Sequence, residues 1–536
     1  MSRLLTISHL QIEGHQEGAW QPIVSDVSLT LERGEVLGLI GESGAGKSTI
    51  GIAAMGYTRP GCRIVGGDIT FDGVDLRAAS AETLRQLRGA RIAYVAQSAA
   101  AAFNPAHRLL QQYCETPVTH GVMGAGDAAA NGREIFAKLE LPDPDSFGAR
   151  YPHQVSGGQL QRAMVAMAMS CQPDLIVFDE PTTALDVTTQ IEVLAAIKEA
   201  IRLYNSAAIY ISHDLAVVAQ IADRVMVLRH GREVESGATG PLIDNPREDY
   251  TAALLSVRKG QGEKIAPAED RELLRVDGVS AAYGNGVTVL DDVCLSVRTG
   301  KTVAVVGESG SGKSTLARVI TGLLPPFKGQ IAFQGETLAP SYKQRAKDQL
   351  RHLQMIYQMP DVAVNPRQKV RDIIGRPLTF YYGLRGDAKR ARVDALLDMI
   401  ELGPAYGDRL PAELSGGEKQ RVCIARALAA EPELIICDEV TSALDQLVAE
   451  GILKLLQELQ NDLGVSYLFI THDLATVKAI SDEIVVMYQG EIVEQGPRDA
   501  ILTPPHHDYT ELLLSSVPEM RTDWLDGVLA QRRAAG

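Results

Sequence analysis

A nine-residue, glycine-rich motif occurs twice in the chain, as GESGAGKST at 41–49 and as GESGSGKST at 307–315. Both copies match the pattern Gly, four residues, Gly, Lys, Ser/Thr, in which backbone N–H groups curl around phosphate while the lysine and hydroxyl complete the cradle. One glycine-rich turn before a helix is often only a tight turn, but two full matches, each directly after an apolar run, predict two phosphate sites. The residues predicted to hold phosphate are Gly41, Ser43, Gly44, Gly46, Lys47, Ser48, Thr49, Gly307, Ser309, Gly310, Gly312, Lys313, Ser314 and Thr315.

The rest of the chain repeats in the same order as these motifs. The two loop lysines lie 266 residues apart (313 − 47), and Asp-Glu, SGG and His-Asp motifs recur at 259 residues (439 − 180 for the glutamates). A fixed spacing of this kind is the mark of an internal repeat. We therefore predict a tandem duplication with one domain at 1–258, a second at 273–536, and an exposed polar linker at 259–272.

Short, unbroken apolar runs lead directly into polar residues in each copy. They are LGLIGESG, DLIVFDE and AAIYISHD in the first copy and VAVVGESG, ELIICDE and SYLFITHD in the second. Such runs are typical of parallel strands covered on both faces, so we predict α/β domains with a mainly parallel sheet. Because ligands bind at the carboxyl ends of strands in such sheets, the phosphate loop, the Asp-Glu pair and the histidine are expected to converge on one site.

The Asp-Glu pairs suggest phosphoryl chemistry. Asp179 and Asp438 end apolar strands, where a buried carboxylate is costly unless it is paired or near a metal. Mg²⁺, held together with the serine hydroxyl after each loop lysine, supplies a reason for the carboxylate. Glu180 and Glu439 follow directly and are placed to orient or deprotonate a water that attacks the γ-phosphate. Taken alone, each pair would more simply be a solvated strand end.

Two further motifs are ambiguous when taken singly. His213 and His472 each follow an apolar strand, and they are either structural or γ-phosphate-sensing histidines. The SGG segments begin helices, where free N–H groups and the helix dipole favour an anion, although a plain N-cap explains them as well. The residues of these segments are Ser156, Gly157, Gly158, Ser415, Gly416 and Gly417.

Composition narrows the class of protein. A formal net charge of −15 disfavours broad nucleic-acid binding. The six cysteines are scattered with no CxxC pair, which suggests neither disulfides nor a zinc or iron–sulfur site. The N-terminus lacks a signal core, and no stretch approaches the roughly 18 apolar residues that span a bilayer, so we expect a cytosolic chain.

The order of motifs, over nearly the whole chain, resembles the ATP-binding cassette (ABC) family twice over. The resemblance implies two P-loop ATPase domains, each with an antiparallel β subdomain and a helical signature subdomain, and ATP and Mg²⁺ as cofactors. VSGGQ and LSGGE would be the signature sequences, and the two ALD segments, Ala184 to Asp186 and Ala443 to Asp445, would link the sites. Gln97 of YVAQ and Gln358 of MIYQ would touch the metal and the water. The implied metal ligands are Ser48, Gln97 and Asp179 in the first copy and Ser314, Gln358 and Asp438 in the second.

Cassettes of that family pair head to tail, so the phosphate loop of one faces the signature of the other. The resemblance thus implies one ATP site built from the Lys47 set with Ser415 to Gly417. The other would combine the Lys313 set with Ser156 to Gly158. Neither copy would be complete alone.

An Asn-Pro follows each glutamine by seven residues (104 − 97 and 365 − 358), and each copy ends in a similar amphipathic tail, NPREDYTAALLSV or PPHHDYTELLLSSVP. These segments look like those of dipeptide, oligopeptide and nickel importer cassettes. They imply two transmembrane permease subunits as partners, an extracytoplasmic solute-binding protein acting through the permease, and a peripheral position on the cytoplasmic face of the inner membrane. The cargo stays open among a peptide, an opine-like conjugate and a metal chelate.

The alternative is a soluble tandem-cassette ATPase acting on ribosomes or nucleic acid. Ribosome-acting relatives of the family carry a long charged helical linker, and repair relatives carry zinc-binding cysteines. The chain has neither feature.

The residue that stacks on adenine differs between the copies. Tyr283 stands where the family places an aromatic, whereas the first copy has Gly14 there. His15 and Trp20 are substitutes, of which Trp20 is favoured, and the simpler alternative is that Trp20 packs locally.

Overall fold

The computed structural model describes residues 3–16, 18–183, 185–256, 271–284, 286–442 and 444–535. The chain forms two units, Met1–Ser256 with Pro518–Gly536 and Val257–Val517. Most of the predicted linker 259–272 lies outside the described residues, as do Ala184 and Ala443 of the two ALD segments. Within the described ranges, none of the helices combines the length and apolar character that a bilayer-spanning segment needs.

Two sheets form the framework of the first unit. Its strands are β1 (Arg3–Gln16), β2 (Ala19–Glu32), β3 (Val36–Ile40), β4 (Cys62–Phe71), β5 (Val74–Asp75), β6 (Ile92–Val95), β7 (Leu175–Asp179), β8 (Ala207–Ile211), β9 (Arg224–Arg229) and β10 (Arg232–Ala238). One sheet is antiparallel with the order β2-β1-β4-β5. The other has the order β10-β9-β3-β8-β7-β6 and is parallel except for the β9–β10 pair. The predicted parallel core and antiparallel β subdomain are both confirmed.

Helices of the first unit connect the parallel strands and build a separate group between β6 and β7. They are α1 (Lys47–Ala53), α2 (Ala81–Leu87), α3 (Ala99–Ala102), α4 (Leu109–Thr119), α5 (Ala125–Lys138), α6 (Pro144–Phe147), α7 (Gly157–Met169), α8 (Val187–Tyr204), α9 (Leu215–Ala219), α10 (Thr239–Asp244) and α11 (Asp249–Ser256). Tyr113, Phe136 and Phe147 of α4, α5 and α6 are buried and meet edge to face at 5.7 and 5.4 Å. The helical subdomain predicted around the SGG segment therefore has an aromatic core of its own.

The second unit repeats this architecture. Its strands are β11 (Glu272–Ala282), β12 (Thr288–Arg298), β13 (Thr302–Val306), β14 (Lys328–Phe333), β15 (Glu336–Thr337), β16 (Leu353–Ile356), β17 (Leu434–Asp438), β18 (Ser466–Ile470), β19 (Glu483–Tyr488) and β20 (Glu491–Pro497). Its helices are α12 (Lys313–Ile320), α13 (Lys347–His352), α14 (Pro360–Ala363), α15 (Val370–Tyr382), α16 (Gly386–Met399), α17 (Gly416–Leu428), α18 (Gln446–Leu463), α19 (Leu474–Ile480), α20 (Arg498–Ile501) and α21 (Asp508–Ser515). The sheet orders are β12-β11-β14-β15 and β16-β17-β18-β13-β19-β20, which match those of the first unit.

Central strands of the parallel sheets are mostly apolar because both faces are covered. Every residue of β7 (LIVFD) and β8 (AAIYI) is buried, and the same holds for β17 (LIICD) and β18 (SYLFI). Full burial of a Val, Leu, Ile or Phe side chain stabilises a fold by roughly 1.5–3 kcal/mol. These strands therefore anchor the polar residues that follow them.

The C-terminal segment belongs to the first unit. Its helix α22 (Trp524–Ala535) packs against α8, where Lys198 Nζ donates to Asp526 Oδ1 at 2.7 Å. Trp524 and Leu525 are buried. The structure thus differs from the predicted second domain, 273–536, in grouping Pro518–Gly536 with the first cassette.

One buried side chain explains this grouping. Gln220 Nε2 donates to the carbonyl oxygens of Glu519 and Arg521, each at 2.9 Å, and Gln220 Oε1 accepts from the Leu525 amide at 3.1 Å. The equivalent residue of the second copy, 259 positions later (479 − 220), is Ala479, which has no side-chain amide. The side chain that binds the C-terminal segment is therefore present in the first copy and is replaced by alanine in the second.

Replacing Gln220 by the second copy's residue, as Gln220→Ala, should loosen the C-terminal segment. The change removes this partner from three carbonyls, those of Ala216, Glu519 and Arg521, and from the Leu525 N–H, at a cost of about 1–3 kcal/mol. We expect faster hydrogen exchange of the α22 amides. Gln457→Ala, which removes a side-chain hydrogen bond to Ala479 in the second unit, is the control and should leave α22 unchanged. Wild-type exchange in Gln220→Ala would contradict this interpretation.

Candidate functional site

The loop lysine of each unit braces its own phosphate loop. Lys47 Nζ donates to the carbonyls of Gly41 and Glu42 at 2.7 and 2.9 Å. Lys313 Nζ donates to Gly307 and Glu308 at 2.8 and 2.7 Å. Both lysines are buried. The charge is thereby held inside the curl of the loop, where a phosphate would sit.

Glycine is required where the loop passes close to the neighbouring strand. Gly41 has φ 148°, and a Cβ there would lie 2.1 Å from the Leu228 carbonyl oxygen. Gly307 repeats the situation with φ 152° and a distance of 2.2 Å to the Met487 carbonyl oxygen. A side chain at either position would push the loop off β9 or β19.

An oxygen-rich pair lies beside each loop. Ser48 Oγ donates to Asp179 Oδ1 at 2.6 Å, and Ser314 Oγ donates to Asp438 Oδ1 at 2.9 Å. Both aspartates are buried at the last residue of their strands. Hydroxyl and carboxylate oxygens are the donors that Mg²⁺ prefers, so the pair fits the predicted metal.

The glutamate after the first aspartate is the centre of a polar cluster. Gln97 Nε2 donates to Glu180 Oε2 at 3.3 Å, the Thr183 hydroxyl donates to the same oxygen at 3.0 Å, and His213 Nδ1 lies 3.4 Å from it. The structure therefore brings the three predicted catalytic side chains of this copy together. The glutamine contacts the glutamate here, although it was also predicted to be a metal ligand.

The second copy builds the same cluster. Gln358 Nε2 donates to Glu439 Oε2 at 2.5 Å, and His472 Nδ1 lies 3.5 Å from Glu439 Oε1. Residues 124 positions apart in the sequence (438 − 314), such as Ser314 and Asp438, meet at the same sheet edge. Both copies thus carry a complete set of the predicted side chains.

In each unit, the glutamate and the histidine shift each other's pKa. Burial alone would raise the pKa of Glu180, but the hydrogen bond and charge of His213, with the charge of Lys47, outweigh it and the pKa is lowered. Burial alone would lower the pKa of His213, whereas Glu180 raises it above its usual value. The pKa values of Glu439 and His472 move in the same directions for the same reasons. The carboxylates therefore stay ionised near neutral pH and are able to accept a proton or orient a water.

Sequence reasoning did not find the backbone conformation of these glutamates. Glu180 has φ 50° and Glu439 has φ 49°, in the left-handed region that residues other than glycine rarely adopt. Their amides donate to the last carbonyl of the next strand, Ile211 or Ile470, at 2.9 Å. Such strain costs about 1–3 kcal/mol and persists at functional sites. It turns each glutamate out of the strand direction directly after the aspartate.

The first site also has two neighbours of Asp179 that sequence reasoning missed. Tyr94 donates its hydroxyl proton to Asp179 Oδ2 at 2.6 Å, and Arg59 Nη2 lies 3.6 Å from the same oxygen. Met355 stands three residues before its glutamine, as Tyr94 does in the first copy. The available signal was a tyrosine in β6 at the position where β16 has a methionine.

The SGG segments begin helices as predicted. Ser156 and Ser415 are N-caps whose hydroxyls accept from the third amide of α7 and α17 at 3.3 Å. The second glycine has a packing role, because a Cβ at Gly158 would lie 2.0 Å from Thr189 Cγ2 of α8. A Cβ at Gly417 would lie 2.4 Å from Val448 Cγ1 of α18. The helix N-terminus is therefore held close to the helix that follows the Asp-Glu motif.

The two candidate adenine platforms have different surroundings. Tyr283 is 38% exposed, and its hydroxyl lies 3.3 Å from Thr315 Oγ1 of the phosphate loop. Trp20 is 40% exposed, with the Arg63 guanidinium 3.9 Å above its ring and His15 edge-on at 5.2 Å. Tyr283 thus borders the loop directly, while one face of Trp20 is covered locally.

Family models match this chain in three places. A model described as "ABC transporter" matches residues 24–183 and again 290–442. A model described as "Oligopeptide/dipeptide transporter, C-terminal region" matches residues 493–534.

The chain is also similar to proteins named as import ATP-binding proteins. The glutathione import ATP-binding protein GsiA of Salmonella choleraesuis (strain SC-B67) is 37% identical over 557 residues, which cover 96% of this chain and 89% of that protein. The protein of the same name from Escherichia coli O6:H1 is 37% identical over 560 residues, with the same coverage. Among solved structures, cbiO1 of Clostridium perfringens, part of the ABC transporter complex cbiONQ, is 31% identical, covers 44% of this chain and 91% of its own, and has a TM-score of 0.40. With two matched cassettes and relatives similar over nearly their full length, the chain belongs to the ABC transporter family as a tandem-cassette ATPase.

Proposed function

We propose that this chain is the ATP-hydrolysing subunit of an importer for peptides or related small solutes. The observation that carries the proposal is that each unit gathers a buried phosphate-loop lysine, a Ser–Asp pair and a Gln–Glu–His cluster at one sheet edge. The match of residues 493–534 to an oligopeptide/dipeptide transporter region supports importer function over the ribosome or nucleic-acid alternative. The glutathione import named for its relatives makes a small γ-linked peptide one candidate cargo.

Two transmembrane permease subunits are the proposed partners, with an extracytoplasmic solute-binding protein acting through them. The chain then works from the cytoplasmic face of the inner membrane. Gln97 follows β6 and Gln358 follows β16, and each glutamine comes directly before the helical subdomain of its unit. A permease docked on that subdomain is therefore able to influence catalysis.

Within each site the chain's own residues have distinct tasks. The lysine and the loop amides bind the β- and γ-phosphates, and the serine and aspartate oxygens hold Mg²⁺. When bound, Mg²⁺ neutralises charge on the phosphate oxygens. The glutamate orients and deprotonates the attacking water, the histidine donates a hydrogen bond to the γ-phosphate, and the glutamine keeps the glutamate in position. Tyr283 and Trp20 stack on adenine in the second and first site, a contact worth roughly 1–3 kcal/mol by analogy with base stacking.

In this proposal, each ATP site is completed by the signature sequence of the other cassette. The Ser415 signature then serves the site of Lys47, and the Ser156 signature serves the site of Lys313. The N-cap position of both serines, at the start of thirteen-residue helices, leaves amides and a helix dipole suited to phosphate.

Ser415→Arg should disable the site containing Lys47 and spare the one containing Lys313, because the new side chain fills the phosphate position in trans. Site-resolved vanadate trapping of a photoreactive nucleotide measures this. Ser156→Arg is the matched control, since it removes the same kind of N-cap, and it should give the opposite pattern. Loss of trapping at the Lys313 site in Ser415→Arg would refute the arrangement.

Affinity purification from membranes tests the importer assignment. We expect two multi-spanning subunits to co-purify with the chain, and we expect their presence to accelerate its ATP hydrolysis. Recovery with ribosomes, or full turnover by the isolated chain, would contradict the proposal.

A further inference from the structure

A tyrosine from the tail of each cassette contacts the phosphate loop of the same unit. The Tyr250 hydroxyl oxygen of α11 accepts from the Glu42 amide at 3.3 Å. The Tyr509 hydroxyl oxygen of α21 accepts from the Glu308 amide at 2.8 Å. Each tyrosine is the second residue of its helix, and each glutamate is the second residue of its loop. The contact occurs at equivalent positions in both units, so it is a repeated feature of the architecture.

The ring of each tyrosine contacts the last residue of a neighbouring strand. This strand is β9 or β19, which pairs with the strand before the phosphate loop, β3 or β13. Arg229, which ends β9, places its guanidinium 4.7 Å from the Tyr250 ring. Tyr488, which ends β19, lies 4.3 Å from the Tyr509 ring. Burial raises the pKa of Tyr250 to about 12, so its hydroxyl stays neutral.

The start of each tail helix is anchored by a carboxylate of the sheet edge. Glu235 of β10 accepts from the amides of Arg247 and Glu248 at 3.0 and 3.3 Å. Glu494 of β20 accepts from the amide of His507 at 3.0 Å. These anchors also stand at equivalent positions, 259 residues apart (494 − 235). The tail is therefore fixed to the sheet on one side and reaches the loop on the other.

Both ends of the loop glutamate are thereby held. The Glu42 N–H donates to Tyr250, and its carbonyl accepts from Lys47 at 2.9 Å. The Glu308 N–H donates to Tyr509, and its carbonyl accepts from Lys313 at 2.7 Å. The residue that precedes the phosphate-binding amides is thus fixed between the tail and the loop lysine.

We propose that Tyr250 and Tyr509 are positioning residues that couple the importer-type tails to the ATP sites. The tyrosine holds the loop in the curl that presents its amides to phosphate, so a docked tail raises ATP affinity. Coupling between two sites is reciprocal, and bound ATP must therefore stabilise the docked tail. The inference rests on the proposed role of the two loops as ATP sites.

Tyr250→Phe and Tyr509→Phe in the full chain test this coupling, because each keeps the ring and removes the hydroxyl that accepts from the loop amide. Each site is isolated by Lys313→Ala or Lys47→Ala in the other cassette, and binding is followed with a fluorescent ATP analogue. We expect Tyr509→Phe to weaken binding about threefold to tenfold, as for loss of one hydrogen bond. Tyr250→Phe should have the smaller effect because its contact is longer. Tyr204→Phe, at the end of α8, is the control and should leave affinity unchanged.

Hydrogen exchange supplies a second readout. We expect a non-hydrolysable ATP analogue to slow exchange in α21 of the wild type, and this protection should shrink in Tyr509→Phe. Wild-type affinity and protection in Tyr509→Phe would overturn the coupling. If the Lys47→Ala, Lys313→Ala double variant still bound the analogue with wild-type affinity, the ATP-site assignment itself would fail, which is a distinguishable result.

Discussion

The alignment of three parallel strands is the constraint on which each site depends. In the first unit Leu39 of β3 pairs with Ile211 of β8, which pairs with Asp179 of β7. The phosphate loop, the Asp-Glu pair and the histidine therefore leave the sheet in one row. A shift of one residue in β3 would separate Ser48 from Asp179, and a shift in β8 would separate His213 from Glu180.

The second unit has the same row, in which Val305 pairs with Ile470 and Ile470 with Asp438. Packing on both faces fixes these pairings, since a one-residue slip would turn every side chain to the opposite face, against neighbours it does not fit. Their stability allows the adjacent glutamates to keep a left-handed backbone. The fixed register of the apolar strands thus holds the polar site residues in place at the sheet edge.

Much of this was predictable because the motifs are local. The loop glycines, the apolar strands and the polar residues after them are each readable within about ten residues of sequence, and the fold class and tandem organisation are confirmed. Contacts made by residues outside these motifs were not readable. Tyr94 on Asp179 and Gln220 on the C-terminal segment depend on which side chains the fold brings together. The left-handed glutamates were also missed, because no residue type in the motif requires that conformation.

Comparison of the two copies shows what the duplication kept and what it changed. Both keep the loop lysine, the Ser–Asp pair, the Gln–Glu–His cluster and the tail tyrosine. Among the positions that differ are Tyr94 against Met355, Gln220 against Ala479, and Gly14 against Tyr283, for which Trp20 is the proposed substitute. The groups proposed to act in bond cleavage are the same residue types in both copies.

The central claim is that both cassettes hydrolyse ATP, and the turnover of Glu180→Gln and Glu439→Gln tests it most directly. The amide keeps the side chain's size and removes its basicity, so each variant should still bind ATP. Each should lose turnover at its own site by roughly a hundredfold to ten-thousandfold, as for loss of a general base. Both variants should therefore lower total hydrolysis substantially. If one variant abolished hydrolysis while the other left it unchanged, only one site would be catalytic and the account would be wrong.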